Sequence, residues 1–141
     1  MPPLILNKID YSTLNARQKE NYNFHKISAV LADYGFVSLR LSDDWQGADF
    51  IAVHIDGETF VRVQAKGRFG FCKKYLGKNL YVAFCSEGEW YLYPHDEVLK
   101  QVLEQTGIAT TESWAIKGVY HFPYLSPDMR KFVAPYRIGS R

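Results

Sequence analysis

From about Asn15 to Tyr34 the chain contains neither proline nor glycine, and Phe24, Ile27, Val30, Leu31 and Tyr34 recur at the three-and-four spacing of an amphipathic helix. Gly35 stops it, because glycine readily takes the left-handed conformation that follows a helix. The period then changes. Residues 36–41 mix apolar and polar positions as a strand does, and Ser42-Asp43-Asp44-Trp45-Gln46-Gly47 reads as a loop. Residues 50–55 and 59–64 are two further strands around Asp56-Gly57, a pair that tolerates the positive φ of a type I′ hairpin turn. Strands at 80–85 and 90–93 follow, the second leading through Trp90-Tyr91-Leu92-Tyr93-Pro94 into a helix over 96–105 whose apolar stripe is Val98, Val102 and Leu103. Beyond Gly107 the pattern predicts a strand over about 115–122 and a short helix over 128–133. No repeat or linker interrupts this order. It predicts one α/β domain over residues 1–141: an N-terminal helix on a mixed sheet of about five strands, with a further helix and strand C-terminal.

Composition narrows the class. With 47% hydrophobic, 16% aromatic and 23% charged residues, the chain is not a disordered tail, a collagen-like repeat or a heptad coil. No uncharged run approaches the roughly 18 to 20 residues of a membrane helix, so no membrane partner is expected. The start, Met1-Pro2-Pro3-Leu4-Ile5-Leu6-Asn7-Lys8, does not read as a secretory signal, and the expected compartment is the cytoplasm. Cys72 and Cys85 lack the spacing of a zinc knuckle or redox pair and read as plain apolar residues. His25, His54, His95 and His121 lack metal-ligand spacing and read as structural or surface residues.

Net charge is only +2, but its distribution is uneven. Arg62, Lys66, Arg68, Lys73, Lys74 and Lys78 follow one another with no acid among them. Such a segment on a nearly neutral protein suggests a local surface for an anion, against the alternative of a solvated loop. Phe69 and Phe71 interleave with these charges, either as stacking surfaces for an unpaired base or as buried anchors of the loop.

One constellation carries chemistry. In a hairpin turning at Asp56-Gly57, Asp49 lies seven residues before the turn and Gln64 seven after it, which makes them cross-strand neighbours to within one register step. Lys66 is two beyond Gln64 on the same strand and shares its face. A carboxylate, an amide oxygen and an ammonium group thus meet at the open end of the hairpin. The carboxylate, the Gln64 carbonyl oxygen and the backbone carbonyl of Ala65 are hard oxygen ligands suited to Mg²⁺ or Mn²⁺, and Lys66 can orient or deprotonate an attacking water and offset developing charge. This is a grouping for phosphodiester hydrolysis.

Asp49, followed after an interval by Gln64-Ala65-Lys66 and preceded by a helix and a Gly-Phe strand, resembles the PD-(D/E)xK nuclease superfamily in its Gln-x-Lys form. The resemblance spans roughly residues 15–90, and the chain is also similar to a set of short bacterial proteins of unassigned function. It implies a restriction-endonuclease-like core and a metal-dependent DNA endonuclease, with Asp49, Gln64, Lys66 and Glu20 as catalytic residues. The metal ligands would be Asp49, Gln64, Ala65 and Glu20, and DNA would be approached by Arg68, Lys73, Lys74 and Lys78. Ala48 stands where the motif has proline, and Gln64 replaces the second carboxylate, leaving one negative charge fewer on the metal. The superfamily often adds an acid from its first helix. Glu20 and Asn23 both fall on the helical stripe; Glu20 is the better ligand, Asn23 the closer in spacing, and Glu20 is preferred. Asp44 is the alternative acid to Asp49.

The alternative reading is a catalytically inactive nucleic-acid-binding or protein-interaction module on the same fold, for which Gln64 is the motivating residue. A core this small rarely surrounds a duplex. A homodimer presenting two sites is one arrangement that would, and an accessory protein partner is another.

Overall fold

The computed structural model describes residues 2–140, apart from the side chain of Asp44. It has an N-terminal helix and a mostly antiparallel sheet, the mixed α/β arrangement that the periodicity predicts. Helix α1 (Ala16–Ala32) starts at a reciprocal cap, in which the Asn15 side chain accepts the Gln18 amide and the Gln18 side chain accepts the Asn15 amide, both at 2.9 Å. It ends before Gly35, whose φ of +84° no β-carbon would favour.

Strands β1 (Phe36–Trp45), β2 (Ala48–His54), β3 (Phe60–Ala65), β5 (Leu80–Ser86), β6 (Glu89–Pro94) and β8 (Arg137–Ser140) form a six-stranded sheet in the order β1-β2-β3-β5-β6-β8. Every neighbouring pair is antiparallel except β3 with β5. Strands β4 (Gly70–Cys72) and β7 (Val119–His121) make a separate antiparallel pair. Helices α2 (His95–Gln105) and α3 (Pro127–Val133) complete the chain.

Two faces of the sheet pack differently. Ile27 and Leu31 of α1 bury against Phe50, Ala52, Val63, Ala83 and Trp90. On the other face Val82, Phe84, Tyr91 and Tyr93 meet Val98, Leu99 and Val102 of α2 and Phe132 and Val133 of α3. Phe69 and Phe71 are 2% and 1% exposed within this second core, so they are anchors of the loop and not stacking surfaces. Neither Cys72 nor Cys85 forms a disulfide, and both are half-buried beside apolar neighbours.

The turns differ from the sequence reading in an instructive way. The expected loop at 42–47 is largely strand: β1 runs on through an irregularity to Trp45, which pairs with Ala48 across Gln46-Gly47. Gln46 and Gly47 have φ of +53° and +85°, as do Glu87 and Gly88 at +50° and +78° between β5 and β6. These are the tight turns. At Asp56-Gly57 only Gly57 is left-handed, and the longer loop is held by the Asp56 carboxylate, which accepts from the Glu58 and Thr59 amides and the Thr59 hydroxyl. Asp56 therefore acts as a side-chain clamp. The strand expected over 115–122 shrinks to β7, because Ser113–Lys117 coils into a π-helical turn closed by Gly118 at φ +72°.

Candidate functional site

Strand pairing builds the site. The β2–β3 ladder runs from Val53↔Phe60 to Phe50↔Val63, and one step further out it brings Asp49 opposite Gln64. The ladder's last rung is a side chain: Asp49 Oδ2 accepts the Ala65 amide at 2.8 Å. Lys66 donates its own amide to the Ala83 carbonyl at 2.9 Å, towards β5. Since backbone groups of successive strand residues point to alternate edges, the Ala65 carbonyl is directed to the Asp49 side. Gln64 lies level with Val82 and is 8% exposed.

These residues line a cleft of about 930 Å³ at the open end of the β2–β3 hairpin. The first turns of α1 form its other wall and bring Glu20 and Asn23 to the same cavity. Glu20 is exposed; Asn23 is half-buried and donates its amide to the Tyr11 hydroxyl at 2.9 Å. Lys66 lines the cleft with its Nζ 5.5 Å from the Tyr75 ring centre. The side chain of Asp44 lies outside the described residues, whereas Asp43 lines the cleft.

Oxygen chemistry in this cleft is suited to a hard cation. Four buried side-chain atoms lack a hydrogen-bond partner among the described residues: Ser28 Oγ, Ser38 Oγ, Trp90 Nε1 and Gln64 Oε1. Of these, Gln64 alone lines the cleft. An unsatisfied buried acceptor costs about 1–3 kcal/mol, which a cation bound there would offset. Asp49 would supply the negative charge and the Ala65 carbonyl a further oxygen. No group of three or more His, Cys, Asp or Glu side chains close enough to share a metal occurs among the described residues. A cation held here would draw on amide, carbonyl and carboxylate oxygens.

Arg68 is exposed at the start of the crossover from β3 to β5. Lys73 and Lys78 are engaged away from the cleft, Lys73 Nζ with the Ala115 carbonyl at 3.4 Å and Lys78 Nζ with Gln46 Oε1 at 2.9 Å, while Lys74 lies over the Tyr75 ring. Arg40 is a lining residue that the sequence did not single out. Its Nη1 donates to Asn21 Oδ1 at 2.6 Å and its guanidinium covers the Phe24 ring. Nothing in the local pattern marks it, since α1 and β1 meet only in three dimensions.

Of the other histidines, His95 is 1% exposed. Its Nε2 accepts the Cys72 amide at 3.2 Å, which leaves Nδ1 to donate to Asp96 Oδ1 at 2.8 Å. Burial holds this imidazole below the ordinary histidine range, against the opposing pull of Asp96. It is a structural link between β4 and α2, as expected.

No family model and no curated protein matches the chain. Among solved structures it is similar to Hjc, a Holliday junction resolvase from the archaeal hyperthermophile Archaeoglobus fulgidus, with a TM-score of 0.45 and 18% identity over 54% of this chain and 72% of that one. No helix of the described residues is long and apolar enough to cross a membrane.

Proposed function

We propose that the protein is a divalent-cation-dependent DNA endonuclease of the PD-(D/E)xK type. The observation that carries this reading is the buried, unpartnered Gln64 Oε1 beside Asp49 in a cleft that also contains Lys66. Asp49, Gln64 and the Ala65 carbonyl would hold Mg²⁺ or Mn²⁺, with Glu20 across the cleft as a further oxygen ligand. When bound, the cation supplies Lewis acidity towards the phosphate oxygens. Lys66 orients the attacking water and offsets charge that develops on the phosphate. Asp49 has a second duty, since its bond to Ala65 fixes the strand end on which all three groups depend. Arg68 and Lys74 approach the DNA backbone, and two copies of the chain would present two sites to a duplex.

The test is plasmid nicking by the purified protein in Mg²⁺ or Mn²⁺. Nicking by wild type that is lost in Lys66→Ala and in chelator supports the reading; nicking undiminished in Lys66→Ala overturns the chemistry. The neutral Gln64 favours one second reading, a nucleic-acid-binding module without cleavage. It predicts salt-sensitive DNA binding and no product with either metal.

A further inference from the structure

The cations of β3 and of the segment after it differ in their partners. Arg62 donates to the Lys78 carbonyl at 3.1 Å and lies 4.9 Å from the Trp45 ring centre, and Lys73 and Lys78 are hydrogen-bonded as described. Lys66 and Arg68 make neither a side-chain hydrogen bond nor an ion pair among the described residues. Lys66 lines the cleft, and Arg68 follows directly on Gly67, another lining residue.

A third nitrogen-bearing side chain joins them from far along the sequence. The β4–β7 pair sets His121 opposite Gly70, and the Phe122 amide closes on the Phe69 carbonyl at 2.9 Å. A β-carbon on Gly70 would lie 2.4 Å from His121 Nδ1 and 2.7 Å from the Tyr120 carbonyl oxygen. Glycine at 70 thus lets the imidazole sit directly over the loop. Tyr93 secures the other side, its buried hydroxyl donating to the Gly70 carbonyl at 2.6 Å. The His121 ring itself takes no hydrogen bond among the described residues. Partial burial, then the charge of Arg68, then that of Lys66 hold it below the ordinary histidine range. These are the charged groups that face it, and no carboxylate pairs with any of the three among the described residues.

A ring N–H beside two cations that form no ion pair among the described residues is a receptor for an anion. We propose that Arg68 and His121, adjoining Lys66, form a receiving site for a nucleic-acid backbone phosphate next to the one that is cut. Arg68 supplies charge and a planar fork of donors, and His121 supplies a ring N–H. The inference rests on the nuclease reading for the identity of the anion. It assigns His121 to positioning the strand, a role its isolation in the sequence concealed.

The experiment measures binding of a fluorescently labelled short DNA duplex in chelator, across a range of salt concentrations. Arg68→Ala is expected to lower affinity about 10-fold and to reduce the slope of log affinity against log salt by about one. His121→Ala should weaken binding with a smaller change of slope than Arg68→Ala, and His121→Gln, which keeps a donor, should recover most of it. Lys100→Ala, which removes the same charge from exposed α2, should bind as wild type. Wild-type cleavage together with unaltered binding by folded Arg68→Ala and His121→Ala overturns this site and leaves the nuclease reading standing. Binding weakened in both variants with no cleavage by wild type supports the site and sinks the nuclease reading.

Discussion

The backbone amide of Ala65 is hydrogen-bonded to the Asp49 carboxylate and not to another strand, at 2.8 Å. One side chain therefore serves both the end of a ladder and the acidic corner of the cleft. Asp49→Ala removes both functions, and a lost bond to a charged acceptor costs about 1.5–3 kcal/mol. Asp49→Asn keeps an acceptor for Ala65 and removes the charge. Nicking should fall roughly 100-fold or more in both variants, by analogy with loss of one electrostatic stabiliser. Urea unfolding should separate them, with Asn retaining most of the stability that Ala loses.

Gln64 offers the opposite balance. Replacing an unsatisfied buried amide with a hydrocarbon of similar size removes a desolvation penalty, so Gln64→Leu should be more stable than wild type by about 1 kcal/mol and inactive. Gln64→Glu places a second carboxylate beside Asp49. That variant should melt lower than wild type in chelator and gain more from added Mg²⁺, a comparison that thermal melts in both buffers make directly.

Acid should weaken the fold in two separate windows. Folding lowers the His95 pKa, so its contribution is complete above the unfolded histidine value of about 6.5 and is lost as pH falls through the lower folded value. Folding also lowers the Asp56 pKa, chiefly through the Thr59 hydroxyl and then the Glu58 and Thr59 amides. Its contribution is complete above the unfolded aspartate value of about 3.9 and disappears only below that. Urea midpoints measured against pH should show a first decline that flattens in His95→Gln and a second that flattens in Asp56→Asn.

Tyr93→Phe deletes the hydroxyl that the Gly70 carbonyl accepts inside the core. Leaving that carbonyl unpaired should cost about 1–3 kcal/mol by urea unfolding. Because Gly70 carries His121 across β4–β7, DNA binding should weaken in the same variant while the cleft residues stay intact.

Much of this was legible because sheets count by twos. A hairpin centred on Asp56-Gly57 brings 49 against 64 to within one register step, and that pairing held even though Asp56 proved to be a clamp and not a left-handed residue. Helices α1 and α2 were readable from their apolar positions, although Tyr34, counted in the first stripe, lies beyond the end of α1 and is exposed. What escaped was short or set by distant contacts. Strand β8 has only four residues and takes its partner, β6, from far upstream; its Arg137 is tied to Glu89 by an ion pair that no local pattern foretells. Strands β4 and β7 have three residues each, too few for any period, so nothing signalled that His121 would reach the neighbourhood of Lys66.

The lone parallel pairing has a price in chain length that turns out to be useful. Two strands pointing the same way cannot be joined by a tight reversal, so after Ala65 the polypeptide must travel back the whole height of the sheet before Leu80 can begin. That return journey starts at the mouth of the cleft and carries every cation from Lys66 to Lys78. Topology alone thus sets Lys66 and Arg68 at the start of the return, while Lys73 and Lys78 turn to other partners, and exchanging the strap's exposed residues should retune what is gripped without disturbing the layers beneath.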